Sequence, residues 1–180
     1  MASRADYVKL FDKIADAYLN HTVVEVNKKY YRVGEIEFYL NDYQVHKDTF
    51  THGQGIQKET AKWYFHKFGS SYKSGTYKGL DVAIGKGDGV AAGGILLRSL
   101  MPLTLSPESS TQEMKFTHGD TFLDKVYFIE GPCNCVNRLL QDTKPADSVT
   151  FDIKDLVERS DFSLDVFDPN SCMHLLSSTE

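Results

Sequence analysis

An alternation of apolar and polar residues in the segment 33–40 is the strongest constraint on how this chain folds. One set of alternate positions carries the apolar residues Ile36, Phe38 and Leu40. The positions between them carry Glu35, Glu37 and Tyr39. Because successive side chains of a strand point to opposite faces, this period predicts a strand with one buried face and one polar face.

Similar patterns elsewhere predict a chain rich in strands, with few helices. Further strands are predicted at 23–26, 63–68, 80–84, 94–100 and 125–129, and the strand of the opening segment is predicted over 30–40. The pattern at 80–84 is that of a half-buried strand. Pro102 is expected to end the strand predicted at 94–100. Helices are predicted from Ser3 to about residue 19, from Pro132 to about residue 140, and at 153–157. We expect a turn at 85–89, a loop over 103–119 and a frayed end over the last dozen residues.

The length and composition are those of one globular domain. The chain has 180 residues, of which 41% are hydrophobic and 25% charged, and it shows no repeat or linker that would divide it. We therefore predict a single α+β domain over residues 1–180.

Composition also bears on compartment and partners. No apolar run is long enough to span a bilayer, no apolar stretch follows the N-terminus, and three cysteines make no disulfide framework, which together predict an intracellular protein. The formal net charge is −5, whereas a protein that holds duplex DNA mainly through its phosphates usually presents a basic surface.

The polar face of the opening strand is the first candidate site. Glu35 and Glu37 are like charges that repel at close range, and a carboxylate beside an aromatic ring is a reasonable base for activating water. The ring of Tyr39 can stack on a flat substrate. The alternative is the exposed polar face of an edge strand.

Two other features are candidates. His46, Asp48 and His52 are residue types that bind divalent metals, although a loop that lines a pocket explains them as well. Arg98 lies in an otherwise apolar strand, so it needs a carboxylate such as Asp81 or Glu37, or else a phosphate or substrate.

Three segments resemble, in order, the alkyladenine (3-methyladenine) DNA glycosylase family. The first is Glu35-Ile36-Glu37-Phe38-Tyr39-Leu40 with a downstream histidine. The second is Asp88-Gly89 leading to the segment 95–103, and the third is Gly131-Pro132 followed by a helix with Arg138, Leu139 and Leu140. The resemblance covers about residues 30–142.

The resemblance implies a fold and an activity. The fold is a β-rich α+β domain with a mixed or antiparallel curved sheet flanked by helices, similar to the C-terminal domain of formyltransferases. The activity is that of an N-glycosidase that hydrolyses the glycosidic bond of a damaged or modified purine nucleotide without a cofactor. The implied partner is DNA, or a nucleoside or nucleotide.

The family's site residues carry over to several positions of this chain. Glu37 matches the catalytic glutamate that deprotonates water, and Tyr39 matches the tyrosine that stacks on the extruded base. The other implied substrate-binding residues are His46, with His52 as runner-up, Arg98, and Tyr77 as a third pocket aromatic.

The chain departs from the family in two places. The hairpin whose tyrosine wedges into DNA is shortened to Tyr77-Lys78-Gly79, and the pocket asparagine falls at Gly85. Two alternatives therefore stand beside the glycosidase: a non-catalytic protein that binds a nucleobase or nucleotide in the inherited pocket, and a metal-dependent hydrolase using His46, Asp48 and His52.

Overall fold

A computed structural model of the chain describes residues 4–42, 44–87, 89–105, 116–118 and 127–178, with the backbone alone at 105 and 116–118. The helices are α1 (Arg4–Asn20), α2 (Pro132–Thr143) and α3 (Ile153–Val157), with 3-10 turns at Gly55–Lys58 and Gly75–Tyr77. The strands are β1 (Thr22–Val26), β2 (Lys29–Asp42), β3 (Thr60–Phe65), β4 (Lys67–Phe68), β5 (Ser71–Tyr72), β6 (Leu80–Ile84), β7 (Ala91–Leu105), β8 (Phe116–His118), β9 (Ile129–Glu130) and β10 (Met173–Ser177).

One curled antiparallel sheet organises these strands. Among the described residues its order is β10-β1-β2-β7-β6-β3, with β8 and β9 paired to β7, and β4 and β5 form a separate hairpin. The two longest strands, β2 and β7, pair with each other from Tyr30 opposite Leu103 to Asp42 opposite Ala91. The described residues thus form a single α+β domain with few helices.

The hairpin between β1 and β2 follows from its turn residues. Asn27 and Lys28 both adopt positive φ, 46° and 65°, and Val26 pairs directly with Lys29. Positive φ at both central residues is the geometry of the tight type I′ turn, whose twist matches that of the flanking strands.

The core lies between the sheet and the helices. Leu139 of α2 and Leu156 of α3 are fully buried in one cluster with Ile95 and Leu97 of β7. The ring of Phe11 in α1 stacks on Phe38 of β2 at 4.6 Å between centroids. Since side chains alternate along a strand, Phe38 lies on the face of β2 opposite to Glu37 and Tyr39.

Several predicted elements are confirmed. All three helices form, as do strands at 23–26, 30–40, 63–65, 80–84 and 94–100, while Ser3, the predicted cap of the first helix, lies outside the described residues. No described helix is long and apolar enough to cross a membrane.

The prediction that Pro102 ends its strand is wrong. β7 continues through Pro102, which pairs with Tyr31 of β2. On the other side of β7, the described ladder with β9 involves Ser99 and Leu100 and that with β8 begins at Leu103. Among the described residues, Pro102 lies between these two ladders, a position at which a strand tolerates a proline.

Other boundaries also differ from the predictions. The predicted loop 103–119 includes the end of β7 and all of β8, while 106–115 and 119 lie outside the described residues. The strand predicted at 125–129 is replaced by the shorter β9, with 125 and 126 undescribed. The expected frayed end instead contains β10, which pairs with β1 along its whole length. The strand 80–84 is buried on both faces rather than half-buried, because Asp81 and Ala83 are covered as well.

Candidate functional site

Four residues from four strands form one row across the sheet. Glu37 of β2 pairs with Leu96 of β7, Leu96 pairs with Asp81 of β6, and Asp81 pairs with Tyr64 of β3. Directly opposed residues of antiparallel strands project from the same face. Since neighbouring strands lie about 4.8 Å apart, the backbones of Glu37 and Asp81 are separated by roughly 10 Å.

Arg98 joins the two glutamates of β2. Its Nε lies 3.0 Å from Glu35 Oε1, and its Nη1 donates to Glu37 Oε2. The side chain of Arg98 is 38% exposed, that of Glu35 is 59% exposed and that of Glu37 is 39% exposed. The cluster is therefore open to water. The hydrogen bond to Glu37 is the main cause that raises the pKa of Arg98. The cation therefore offsets the repulsion between the two carboxylates.

Tyr39 lies beside Glu37 on the same face. Burial, and then a hydrogen bond to Glu37, raise the pKa of Tyr39 to about 12. Because the carboxylate can only accept, the tyrosine hydroxyl donates to it. Arg98 and Tyr39 thus hold the Glu37 carboxylate from two directions.

His66 and Asp81 form a covered pair in the same region. His66 Nε2 lies 2.7 Å from Asp81 Oδ1, and the side chains are 14% and 1% exposed. Two glycines permit this packing: a Cβ on Gly94 would lie 2.6 Å from Asp81 Oδ2, and one on Gly79 would lie 2.5 Å from His66 Nδ1. The carboxylate is an acceptor only, so the imidazole donates its Nε2–H.

His52 connects this pair to a lysine and a tyrosine. His52 Nδ1 lies 3.1 Å from the Tyr64 hydroxyl, and Lys73 Nζ lies 3.1 Å from His52 Nε2. An ammonium can only donate, so Nε2 accepts and Nδ1 carries the hydrogen. Burial lowers the pKa of His52, and the neighbouring Lys73 and His66 lower it further. These causes favour the neutral form of His52.

These side chains surround a cavity of ≈250 Å³. The described residues that line it are Tyr39, Phe50, His52, Gln57, His66, Lys73 and Asp81. Two aromatic rings, one buried amide and two opposite charges therefore converge on a small space. Glu37 and Arg98 lie next to the cavity, through Tyr39, rather than in its wall.

Two larger hollows lie elsewhere. One, of ≈480 Å³, is lined by residues 70–74, Lys78 and part of α3, and the other, of ≈550 Å³, lies against α2. Lys73 lines the first hollow and also the cavity of ≈250 Å³, which we call the Tyr39 cavity. Neither hollow contains a predicted site residue, and we regard the smaller cavity as the candidate site because aromatic and charged groups converge there.

The predicted site residues are only partly brought together. Tyr39 and His52 line the cavity, with Glu37 and Arg98 beside it. His46 lies apart, in an isolated bridge with Asp42, and its carbonyl oxygen accepts from the Asp42 N–H at 2.7 Å. Tyr77 is 77% exposed in the second 3-10 turn and does not line the cavity.

The predicted metal-binding triad does not form a metal site. Asp48 Oδ1 accepts from the backbone N–H of Phe50 at 2.9 Å, while His52 turns toward Tyr64. Across the described residues, no group of three or more His, Cys, Asp or Glu is arranged to hold a metal ion.

Sequence reasoning missed His66, Lys73, Gln57 and the part played by Asp81 in the cavity. A signal was present at Asp81, the one charged residue among the apolar residues of 80–84. A second signal was the period of two that puts His66 on the same face as Tyr64. Neither signal identifies the partner across the sheet.

Comparisons with known proteins give one relative. The chain is 34% identical over 143 residues to an uncharacterized protein, L759, of Acanthamoeba polyphaga mimivirus. The matched region covers 73% of this chain and 56% of that relative. The chain therefore spans little more than half the length of the curated relative that it matches. No protein-family model matches the chain, and no solved structure matches it.

Proposed function

We propose that the protein is an N-glycosidase of the alkyladenine DNA glycosylase type, in which Glu37 activates the water that cleaves the glycosidic bond of a purine nucleotide. The observation that carries this proposal is the position of Glu37 at the edge of a base-sized cavity, bound to Tyr39 and Arg98. The order of the three sequence motifs supports the same family and its curved-sheet fold.

The arrangement suits a base held inside the cavity with its sugar outside. Tyr39 and Phe50 offer aromatic surfaces to a flat ring, and Phe50 is 78% exposed at the mouth. The anomeric carbon is one bond away from the base, and we place it toward Glu37, which is bound to Tyr39 of the cavity wall and is 39% exposed to water. A carboxylate in that position accepts a proton from water and stabilises positive charge on the sugar in the transition state.

Arg98 and Tyr39 fix the direction of the Glu37 carboxylate. Fixed orientation of a catalytic group contributes to rate because the reacting geometry needs no further search. Glu35 shares Arg98 but is more exposed and lies farther from Tyr39 along the strand. Glu37 is therefore the better candidate for the base.

The substrate we propose is a nucleoside, a nucleotide or single-stranded nucleic acid in preference to duplex DNA, within the cell. The formal charge of −5 is unfavourable for a protein that holds a duplex through many phosphates. Extruding a base from a duplex costs a few kcal/mol, and a shortened hairpin offers less support for the extruded state.

Release of free base tests the proposal. Wild type, Glu37→Gln and Glu35→Gln would be incubated with methylated duplex and single-stranded DNA and with free purine nucleosides, and bases separated by chromatography. We expect Glu37→Gln to lower the rate at least about 100-fold on the active substrate. The matched control Glu35→Gln, which changes the other carboxylate bound to Arg98, keeps the rate within a few-fold. Absence of any base release that depends on Glu37 overturns the proposal.

A second candidate is a non-catalytic protein that binds a nucleobase or nucleotide in the same cavity. The observation that favours it is the double engagement of Glu37 by Arg98 and Tyr39, since a carboxylate that already accepts from two donors has fewer free acceptor sites for water. Nucleoside binding by calorimetry without turnover, unaffected by Glu37→Gln, identifies this candidate.

A further inference from the structure

We propose that Asp81 and Lys73 make the cavity selective for purine bases that present a carbonyl oxygen beside a ring N–H, as guanine and hypoxanthine do. This inference rests on the proposed function for the placement of the base, and it adds the class of base. It concerns two residues to which neither the sequence motifs nor the resemblance assigns a role.

Asp81 supplies the acceptor. Its side chain is only 1% exposed, yet it belongs to the cavity wall. His66 donates to Oδ1, and Oδ2 lies on the side of Gly94. A carboxylate has about four acceptor sites and no hydrogen to donate, so one imidazole leaves capacity for a ligand N–H. A covered charge is unfavourable by itself, and a ligand donor compensates it.

Lys73 supplies the donor on the other part of the wall. Its ammonium carries three N–H groups, one of which points to His52 Nε2 at 3.1 Å. The Lys73 backbone N–H also donates to the His66 carbonyl at 2.9 Å, which ties the lysine to the residue that holds Asp81. The acceptor and the donor are therefore held in one cavity by a shared histidine.

The edges of the purines differ in the order of these groups. Guanine and hypoxanthine present the O6 acceptor beside the N1–H donor, which complements a cavity wall that carries both an ammonium and a carboxylate. Adenine presents an amino donor next to an N1 lone pair, so its lone pair faces the carboxylate and its amino group faces the ammonium. At ≈250 Å³ the cavity is also smaller than the roughly 300–1,000 Å³ of sites for drug-sized ligands, which suits a base with its sugar outside.

Calorimetric titration tests this selectivity without interference from turnover when all variants carry Glu37→Gln. The probes are guanosine, inosine and adenosine. We expect guanosine and inosine to bind at least ten-fold more tightly than adenosine. Asp81→Asn replaces one acceptor oxygen with an amide donor, and an amide complements the adenine edge, so this variant is expected to bind guanosine at least ten-fold more weakly while adenosine binding is kept or improved.

Asp142→Asn is the matched control. Asp142 has a side chain that is also 1% exposed, bound to Lys29 and Tyr31 and outside the cavity wall. Its variant should keep the order of the three nucleosides. Equal loss of guanosine and adenosine binding in Asp81→Asn overturns the inference, as does the absence of nucleoside binding or a preference for adenosine in the parent protein. Selective binding without base release would instead leave the inference standing and refute the glycosidase.

Discussion

His66 donates its Nε2 hydrogen to the Asp81 carboxylate, with 2.7 Å between Nε2 and Oδ1. This bond links the residue that follows β3 to the wall of the Tyr39 cavity. Asp81 belongs to β6, and His66 follows directly after β3, the strand that pairs with it. The pair orients Asp81, a covered carboxylate in the wall of the Tyr39 cavity. Under the proposed function, the strength of this bond bears on stability and on recognition together.

Removal of His66 should destabilise the protein more than removal of the charge on Asp81. We expect His66→Leu to lower the free energy of unfolding by about 2–4 kcal/mol, because it leaves a covered carboxylate without its donor. Asp81→Asn keeps an acceptor for His66 and should change stability by less than about 1.5 kcal/mol. Urea unfolding measures both. If His66→Leu combined with Asp81→Asn is as unstable as the sum of the two changes predicts, the residues are not coupled.

The close approach of Gly94 to Asp81 predicts a penalty for a methyl group. Gly94→Ala puts a Cβ 2.6 Å from Asp81 Oδ2 and 2.9 Å from Asp81 Cβ, so the strands must shift. We expect a loss of about 1–3 kcal/mol in the free energy of unfolding. Gly55→Ala is the control, since a Cβ there meets nothing within 4 Å and the backbone has no positive φ. A stable Gly94→Ala variant would show that Asp81 has room to move.

The lowered pKa of His52 predicts a pH dependence of stability. The unfolded chain takes up a proton at His52 near pH 6.5, whereas the folded protein takes it up at lower pH, owing to burial and then to Lys73. The stabilisation from neutral His52 is therefore complete above about pH 6.5 and is lost as the pH falls through the folded pKa.

Comparison with His52→Gln isolates this contribution from other titrating groups. The wild type should lose more stability than the variant between about pH 7 and 5 in urea unfolding. Since His52 is an exposed residue, we expect a modest difference. Parallel profiles for the two proteins would mean that the neutral form of His52 is not favoured by the fold.

Arg98 should matter more for the rate than for stability. Its two ion pairs are open to solvent, so Arg98→Gln should change the free energy of unfolding by less than about 1 kcal/mol. Loss of the group that orients Glu37 should slow base release by roughly ten-fold or more. Arg159→Gln, which breaks an ion pair with Asp161 that lies outside the cavity wall, controls for loss of an arginine. Unchanged base release in Arg98→Gln would remove Arg98 from the site.

Local pattern alone determined much of the fold. The period of two at 33–40 predicted that Glu37 and Tyr39 share a face, and they do, because β2 pairs with β7 without a register shift from Ile36 to Asp42. Likewise Gly131 and Pro132 predicted the start of α2, since a proline at the first helical position needs no N–H.

Only the tertiary structure decided what each face meets. The burial of Asp81 and its bond to His66 depend on how β3, β6 and β7 align. The residue pattern of a single strand does not determine its register with the neighbouring strands. β10 was missed because its partner, β1, lies about 150 residues earlier in the chain, and a strand that depends on so distant a partner shows little locally. The sequence thus determined that Glu37 and Tyr39 share a face of β2. The assembled sheet determined that His66, Lys73 and Asp81 line a cavity with Tyr39.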